Sequence, residues 1–251
     1  MLGTIDRILV QIGPFSIHWY GLFMAVAVGW GFYYLLRDGR RLGYGDDFLY
    51  NLTYIIVIAG VIGARFIYVV TNWSYFVRDP AAIIRVDMGG LSIHGAVLGG
   101  ALAALPYLRK HKASFNELAD LVVPGLGIGI ALVRWANIIN QEVMGRFTTG
   151  GFQHPAQIYG SLIGVILLII NAALSRKKPP VGYRFWSFVL YYTLLRGIIE
   201  ETFRANPLYV GGWVTSWGGG FFTLTQLITP LLAVAAWWLR RRTLRYGGRN
   251  A

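Results

Sequence analysis

R-W-A-N-I-I-N-Q-E-V-M-G, residues Arg134 to Gly145, sets an arginine, two asparagines and a glutamate at the end of a long apolar stretch. Ahead of it, residues 121–133 carry no charge at all. These polar groups therefore fall where an apolar helix meets a membrane interface. Ionisable groups at membrane depth cost about 2.5–3.5 kcal/mol each even on the gentlest insertion scales. Helix–helix hydrogen bonding accounts for Asn137 and Asn140. It leaves Arg134 and Glu142 unexplained, which points to a functional polar site inside a membrane protein.

Composition agrees. The chain has 251 residues, is 55% hydrophobic and only 14% charged, with a mean hydropathy of +0.51, whereas soluble domains carry about 25% charged residues. The net charge of +12 raises the question of nucleic acid. The basic residues, however, lie in short runs between apolar segments, a distribution that serves anionic lipid and topology. No cysteine is present. Disulfides and thiolate metal sites are excluded, and a catalytic nucleophile must be another group or arrive with a substrate. Residues 1–13 lack a basic leader and a small-residue cleavage site, and read as an interfacial lead-in to the first span.

About 20 apolar residues cross the hydrocarbon core as a helix. The expected architecture is all-α and polytopic: one membrane domain over 1–251, with seven spans near 14–36, 48–71, 89–108, 118–139, 155–174, 183–201 and 221–239. Charge offers an independent check. Arg37, Arg40, Arg41, Arg109, Lys110, Lys112, Arg176, Lys177, Lys178, Arg184, Arg240, Arg241, Arg242, Arg245 and Arg249 fall on one side of such a fold. Arg7, Arg78, Arg85, Arg146 and Arg204 fall on the other, and Arg65, Arg134 and Arg196 lie within spans. That asymmetry sets the C-terminus in the cytoplasm and the N-terminus outside.

In this orientation the unusual polar residues converge. His18 and Tyr20 open the first span, Arg65 is late in the second and His94 opens the third. Arg134 and Asn137 end the fourth, His154 precedes the fifth, and Arg196 and Glu200 end the sixth. All lie in the outer half of the membrane, a bias that scattered core polar groups would not show. The 32 glycines, as in G-G-L-S-I-H-G-A-V-L-G-G (89–100) and P-G-L-G-I-G (124–129), read as close helix packing. No strand–loop–helix context or Walker lysine supports phosphate cradling by these glycines.

The segment 134–145 resembles the signature G-R-x-[GA]-N-x-x-N-x-E-x-x-G of the bacterial prolipoprotein diacylglyceryl transferase family. It matches at Arg134, Ala136, Asn137, Asn140, Glu142 and Gly145, and departs at Val133. H-W-Y-G (18–21), G-A-R-F-I-Y-V (63–69) and L-S-I-H-G (91–95) resemble further family motifs, in family order. H-P-A-Q-I-Y (154–159) is similar to H-P-[ST]-Q-x-Y-E, with Ala156 and Gly160 departing. R-G-I-I-E-E-T-F-R (196–204) looks like the block R-F-x-x-E-x-x-R, and T-L-T-Q-L-I-T-P (223–230) like the family's last motif. The resemblance covers nearly the whole chain and implies a seven-span inner-membrane enzyme.

It also implies a reaction. Such enzymes move the diacylglyceryl group of phosphatidylglycerol onto the lipobox cysteine of a preprolipoprotein, with no cofactor and no metal. Partners would be that lipid, the lipobox segment and the bilayer, with no nucleic acid. Displacement by a thiolate at a glyceryl carbon needs cations on the departing phosphate and a base for the thiol proton. Arg134 and Arg196 are fork-shaped donors suited to phosphate. Tyr192 lies one turn before Arg196 on the same face. His94 reads equally as base and as hydrogen-bonding scaffold, and Glu142 as base or as orienting group. Tyr20, Arg65, Asn137, Asn140, Gly145, Tyr192, Glu200 and Arg204 complete the expected substrate site.

Structural readings stand beside these. Arg134 has Glu142 and Glu200 as available ion-pair partners. Arg196 and Glu200 are expected both to pair at i,i+4 and to line the site. Arg65 reads as a structural or gating charge more than a catalytic one. His154 is expected to cap the fifth helix, with Pro155 in its first turn. Trp73, Tyr75, Tyr209, Trp213 and Trp217 read as an outer aromatic belt. Among rival functions, a lipid or solute transporter would favour midplane sites and related halves. An intramembrane protease needs a serine motif or paired aspartates, and a retinal protein a lysine in its last span. This sequence supplies none of these.

Overall fold

A computed structural model describes residues 6–13, 15–85, 90–205 and 209–246; the side chains of Phe15, Ile93, His94, Tyr209, Val210 and Tyr246 are outside that description. The helices are α1 (Trp19–Arg41), α2 (Asp46–Thr71), α3 (Trp73–Phe76), α4 (Ile93–Lys110), α5 (Phe115–Asn140), α6 (Ala156–Arg176), α7 (Tyr183–Leu195), α8 (Glu201–Phe203) and α9 (Leu224–Tyr246). Each expected span is matched by helix. Among the described residues, α1, α2, α5 and α6 are long and apolar enough to cross a membrane.

Two antiparallel hairpins were not expected of an all-α chain. Strands β1 (Ile8–Ile12) and β2 (Phe15–His18) pair ahead of α1, and β3 (Tyr209–Val214) and β4 (Gly220–Thr223) pair ahead of α9. The first helix consequently begins at Trp19, five residues later than the expected start of the first span. Within the stretch read as an interfacial lead-in, Ile8–Ile12 form a strand, and β1 satisfies its backbone groups against β2.

The chain divides into two compact units, residues 35–115 and residues 1–34 with 116–251. Within 35–115, α2 and α4 meet backbone to backbone. A methyl group built on Gly63 would lie 2.4 Å from the Gly95 carbonyl, and one built on Gly95 would lie 2.2 Å from that of Gly63. Gly99 approaches the Ala59 carbonyl in the same way. Small residues were expected to permit such approach, and here no other residue fits. Ser92 begins α4: its hydroxyl accepts from Gly95 N–H at 3.5 Å, while its own N–H donates to the Ala64 carbonyl at 3.0 Å.

The other unit uses the same device. Gly125 of α5 sits against Gly31 of α1, and Gly164 of α6 against Ala131 and Gly127 of α5. Val123, Ile163, Leu167 and Phe188 form an apolar core among α5, α6 and α7. Asp120, buried in α5, accepts from the N–H groups of Gly182 and Phe185, each at 2.7 Å. It thereby satisfies orphan donors at the start of α7 from a neighbouring helix.

Candidate active site

The site is built where α5 and α7 end. Helix α5 stops at Asn140, and Gln141 and Val143 then take left-handed backbone angles, φ 56° and φ 53°. This turn brings Glu142 back toward the helix it has left. Asn137 Nδ2 donates to Glu142 Oε2 at 3.0 Å, and Asn140 Nδ2 reaches Oε1 at 3.5 Å. Gln157 of α6 donates to the Glu142 carbonyl at 2.9 Å. One turn earlier in α5, Arg134 Nη1 donates to Asn137 Oδ1 at 3.1 Å. Asn137 thus bridges the signature's arginine and glutamate, and Asn140 steadies the glutamate alone.

Arg134 pairs with Glu200 instead, Nη2 to Oε1 at 2.6 Å, with Glu200 1% exposed. The expected Arg196–Glu200 pair is not formed. Residues Arg196–Glu200 make a π turn, closed by the Glu201 N–H donating to the Arg196 carbonyl five residues back. A π turn carries more residues than an α turn, so Glu200 rotates away from the face that i,i+4 spacing would give it. It then points at α5. Arg196 Nη1 donates to the Tyr192 hydroxyl at 3.2 Å, as their one-turn spacing in α7 predicts.

Charge is concentrated here. Arg196 interacts electrostatically with Glu200 and Glu201, and Arg204 with both these glutamates and both other arginines. Burial works against the Arg204 charge and holds its pKa below the ordinary value, with Glu201 opposing. Tyr20, second residue of α1, lies within electrostatic reach of Glu142 and Arg134. Several buried polar atoms make no hydrogen bond among the described residues: Arg134 Nε, Glu200 Oε2, Glu201 Oε2, Arg204 Nε and Asn140 Oδ1. Buried polar groups ordinarily find partners. Orphaned donors and acceptors gathered at one place leave hydrogen-bonding capacity there for a polar ligand.

The comparisons with known proteins point the same way. Residues 7–240 match the family described as prolipoprotein diacylglyceryl transferase. This chain belongs to that family. It is 50% identical over 244 residues to the phosphatidylglycerol–prolipoprotein diacylglyceryl transferase of Thermoanaerobacter sp., covering 96% of this chain and 95% of the relative. It is 47% identical over 237 residues to that of Caldanaerobacter subterraneus subsp. tengcongensis, covering 93% and 92%. The enzyme of Thermus thermophilus is 34% identical over 270 residues, covering 93% and 97%. As a member of the family, the chain is a multi-pass membrane protein.

Of the residues expected in a diacylglyceryl transferase site, Tyr20, Arg134, Asn137, Asn140, Glu142, Gly145, Tyr192, Arg196, Glu200 and Arg204 belong to the unit formed by 1–34 and 116–251. Gly145 has a backbone role. It pairs with Arg204 in an isolated β-bridge, and a methyl group there would lie 1.7 Å from the His154 carbonyl. His94 is the second residue of α4, in the unit 35–115. Arg65, in the same unit, gives its donors to backbone carbonyls: Nε to Ile83 at 2.8 Å, Nη1 to Gly90 at 3.0 Å and Nη2 to Arg85 at 2.9 Å. That favours the structural reading of this arginine.

His154 does not cap α6. Pro155 holds the cap position, and no side chain bonds there. The imidazole is tied elsewhere, Nε2 to the Trp217 carbonyl at 2.7 Å and Nδ1 to the Tyr159 hydroxyl at 3.1 Å. The carbonyl can only accept, so the ring proton is on Nε2. This latch fixes the segment after α5 against the turn between β3 and β4. Sequence reasoning also passed over Gln157, Glu201 and Gly160. Gln157 stood inside a quoted motif; Glu201 gave the signal of a second carboxylate beside the first; Gly160 gave the signal of a departure.

Proposed function

We infer that this chain transfers the diacylglyceryl group of phosphatidylglycerol to the lipobox cysteine of preprolipoproteins, the first step of lipoprotein maturation. What carries the reading is a family match over nearly the full chain together with two arginines, Arg134 ion-paired to Glu200 and Arg196 within electrostatic reach of it. The cysteine sulfur attacks the glyceryl carbon that bears the phosphate ester. A C–S bond forms, the C–O bond breaks, and glycerol phosphate leaves with the electron pair. Arg134 and Arg196 hold the phosphate as charge builds on it, through forks suited to two oxygens at once. The thiol proton goes to His94 or to Glu142, and Asn137 and Asn140 orient the latter. Tyr20, Gly145, Tyr192, Glu200 and Arg204 shape and hold the substrate site, and Arg65 keeps a structural part.

The orientation adopted is seven spans in the bacterial inner membrane, C-terminus inside, with the site toward the outer face. It is supported by the distribution of basic residues between loops. Exposure of Trp73, Tyr75, Trp213 and Trp217 fits an outer aromatic belt. The donor lipid enters sideways from the outer leaflet, and glycerol phosphate, being water-soluble, leaves outward. The test uses purified enzyme, phosphatidylglycerol and a lipobox peptide. A diacylglyceryl mass gain on the cysteine supports the reading; lipid movement without that gain identifies a transporter.

A further inference from the structure

Gly160 lies in the second turn of α6, facing the ion pair. A Cβ built on it would lie 2.4 Å from Arg134 Nε, 2.8 Å from Arg134 Cδ and 2.8 Å from Glu200 Oε2. No side chain can occupy position 160 while Arg134 and Glu200 hold their observed places. The pair rests on the bare Cα. Glu200 reaches this seat because it stands in the widened π turn, whereas Glu201, bonded back to the Arg196 carbonyl, takes the place of an α-helical fourth residue.

The two segments that make this contact both depart from the motifs they resemble. The pattern that residues 154–159 resemble continues with a glutamate at position 160, where this chain has glycine. The pattern that residues 196–204 resemble has one glutamate and eight residues, whereas this chain has Glu200, Glu201 and one residue more. Counted from Arg196, Glu200 is that pattern's own glutamate and Glu201 the additional one. The side chain missing at 160 and the carboxylate of Glu200 meet at the Arg134 guanidinium. An arginine at membrane depth needs a carboxylate partner, since unpaired burial of either charge is strongly unfavourable.

We propose that Gly160 and Glu200 are a matched pair of positioning residues: the carboxylate that aims Arg134 is supplied by the π turn, and the missing side chain at 160 is what admits it. Glu200 takes Nη2 and Asn137 takes Nη1, leaving Nε as the orphaned donor. The orientation of the guanidinium, and not merely its charge, is set by this exchange. This rests on the transferase reading, which the wild-type activity tests separately.

The test is a reciprocal swap. Gly160→Glu, Glu200→Ala and the double variant are assayed for peptide lipidation at equal amounts of monodisperse enzyme, with kcat and KM for phosphatidylglycerol resolved. Gly160→Glu puts a second carboxylate into an occupied seat, and Glu200→Ala leaves Arg134 unaimed. Each single change should lower kcat/KM by at least about tenfold, the scale of a small misplacement of a catalytic group. In the double variant Arg134 can swing off the new Cβ into the space vacated by Glu200 and meet the new carboxylate there, and kcat/KM should recover by at least about fivefold over the worse single variant, the non-additivity expected of partners in one network. Recovery could not arise from two independent structural defects. A double variant no better than the worse single one, or a fully active Gly160→Glu, overturns the pairing. An inactive wild type would instead bring down the transferase reading.

Discussion

Arg65 and Arg134 are both arginines within long apolar helices, and hydropathy does not distinguish them. Their partners do. Arg65 donates to carbonyls of residues 83, 85 and 90, with its guanidinium 5.3 Å from the Phe76 ring centroid. These acceptors lie close together along the chain beyond α3, so the side chain works as a clamp. Arg134 has a carboxylate and an amide oxygen, which take two of its five N–H donors. Its charge is balanced while the second N–H groups of Nη1 and Nη2 make no hydrogen bond among the described residues. A clamp consumes its donors; a binding arginine is held by some of them.

The contrast is broken most directly by removing the site arginines. Arg134→Ala and Arg196→Ala should each abolish measurable transfer, a loss of about 10²–10³ or more, because the leaving phosphate loses its cation. Immunodetection and monodispersity in detergent should show both proteins inserted and folded. Near-normal turnover in either would remove that arginine from the mechanism.

The next effect concerns the proton. If His94 is the base, wild-type kcat/KM should fall as pH drops through the imidazole range and level off above it, because only neutral imidazole accepts. His94→Asn should then lose about 10²-fold near neutral pH. Its deficit should shrink toward alkaline pH as the peptide thiol ionises unaided. A wild-type profile flat across the imidazole range makes His94 a scaffold and leaves Glu142 as the acceptor.

Arg65 should fail differently. Arg65→Ala removes several charge-assisted bonds, worth about 1.5–3 kcal/mol each before compensation. The expected result is a clear drop in thermal midpoint and faster proteolysis around residues 82–90, with turnover per folded molecule changed only severalfold. Arg65→Lys should not rescue, since a point charge on a flexible stem cannot reach the same carbonyls. A loss of turnover at unchanged stability would return Arg65 to the substrate site.

The clamp-versus-site distinction was only half legible in the sequence. Apolar length gave the helices, since burial and span length are additive along the chain, and α2, α5 and α6 fall close to the expected bounds. The signature gave Arg134, Asn137, Asn140 and Glu142 as one group. Partner choice was not legible. The Arg196–Glu200 pair assumed a 3.6-residue period, and the π turn, visible only in three dimensions, broke it. His154 looked like a cap because of Pro155, whereas its partner Trp217 is 63 residues away. The hairpins escaped because strands of four to six residues give a two-residue alternation too brief to outweigh apolar content.

The smallest test bears on how the second site arginine is held. Arg134 is aimed by a carboxylate, whereas the hydrogen bond of Arg196 among the described residues is to the neutral Tyr192 hydroxyl. Tyr192→Phe deletes that oxygen and keeps the ring, which stacks on Phe188 with centroids 6.2 Å apart. A single bond of this kind contributes about 0.5–1.5 kcal/mol, or roughly two- to tenfold in kcat/KM. If Tyr192 only steadies Arg196, the loss should vanish in an Arg196→Ala background, where there is nothing left to steady. If Tyr192 itself touches the substrate, the loss should persist there and appear mainly in KM for phosphatidylglycerol. Residual transfer in Arg196→Ala enzyme is slow, so the comparison is made by single-turnover mass measurement of the lipidated peptide. A loss above about a hundredfold in Tyr192→Phe alone would exceed what one neutral hydrogen bond can supply and would give the phenol a direct part in the chemistry.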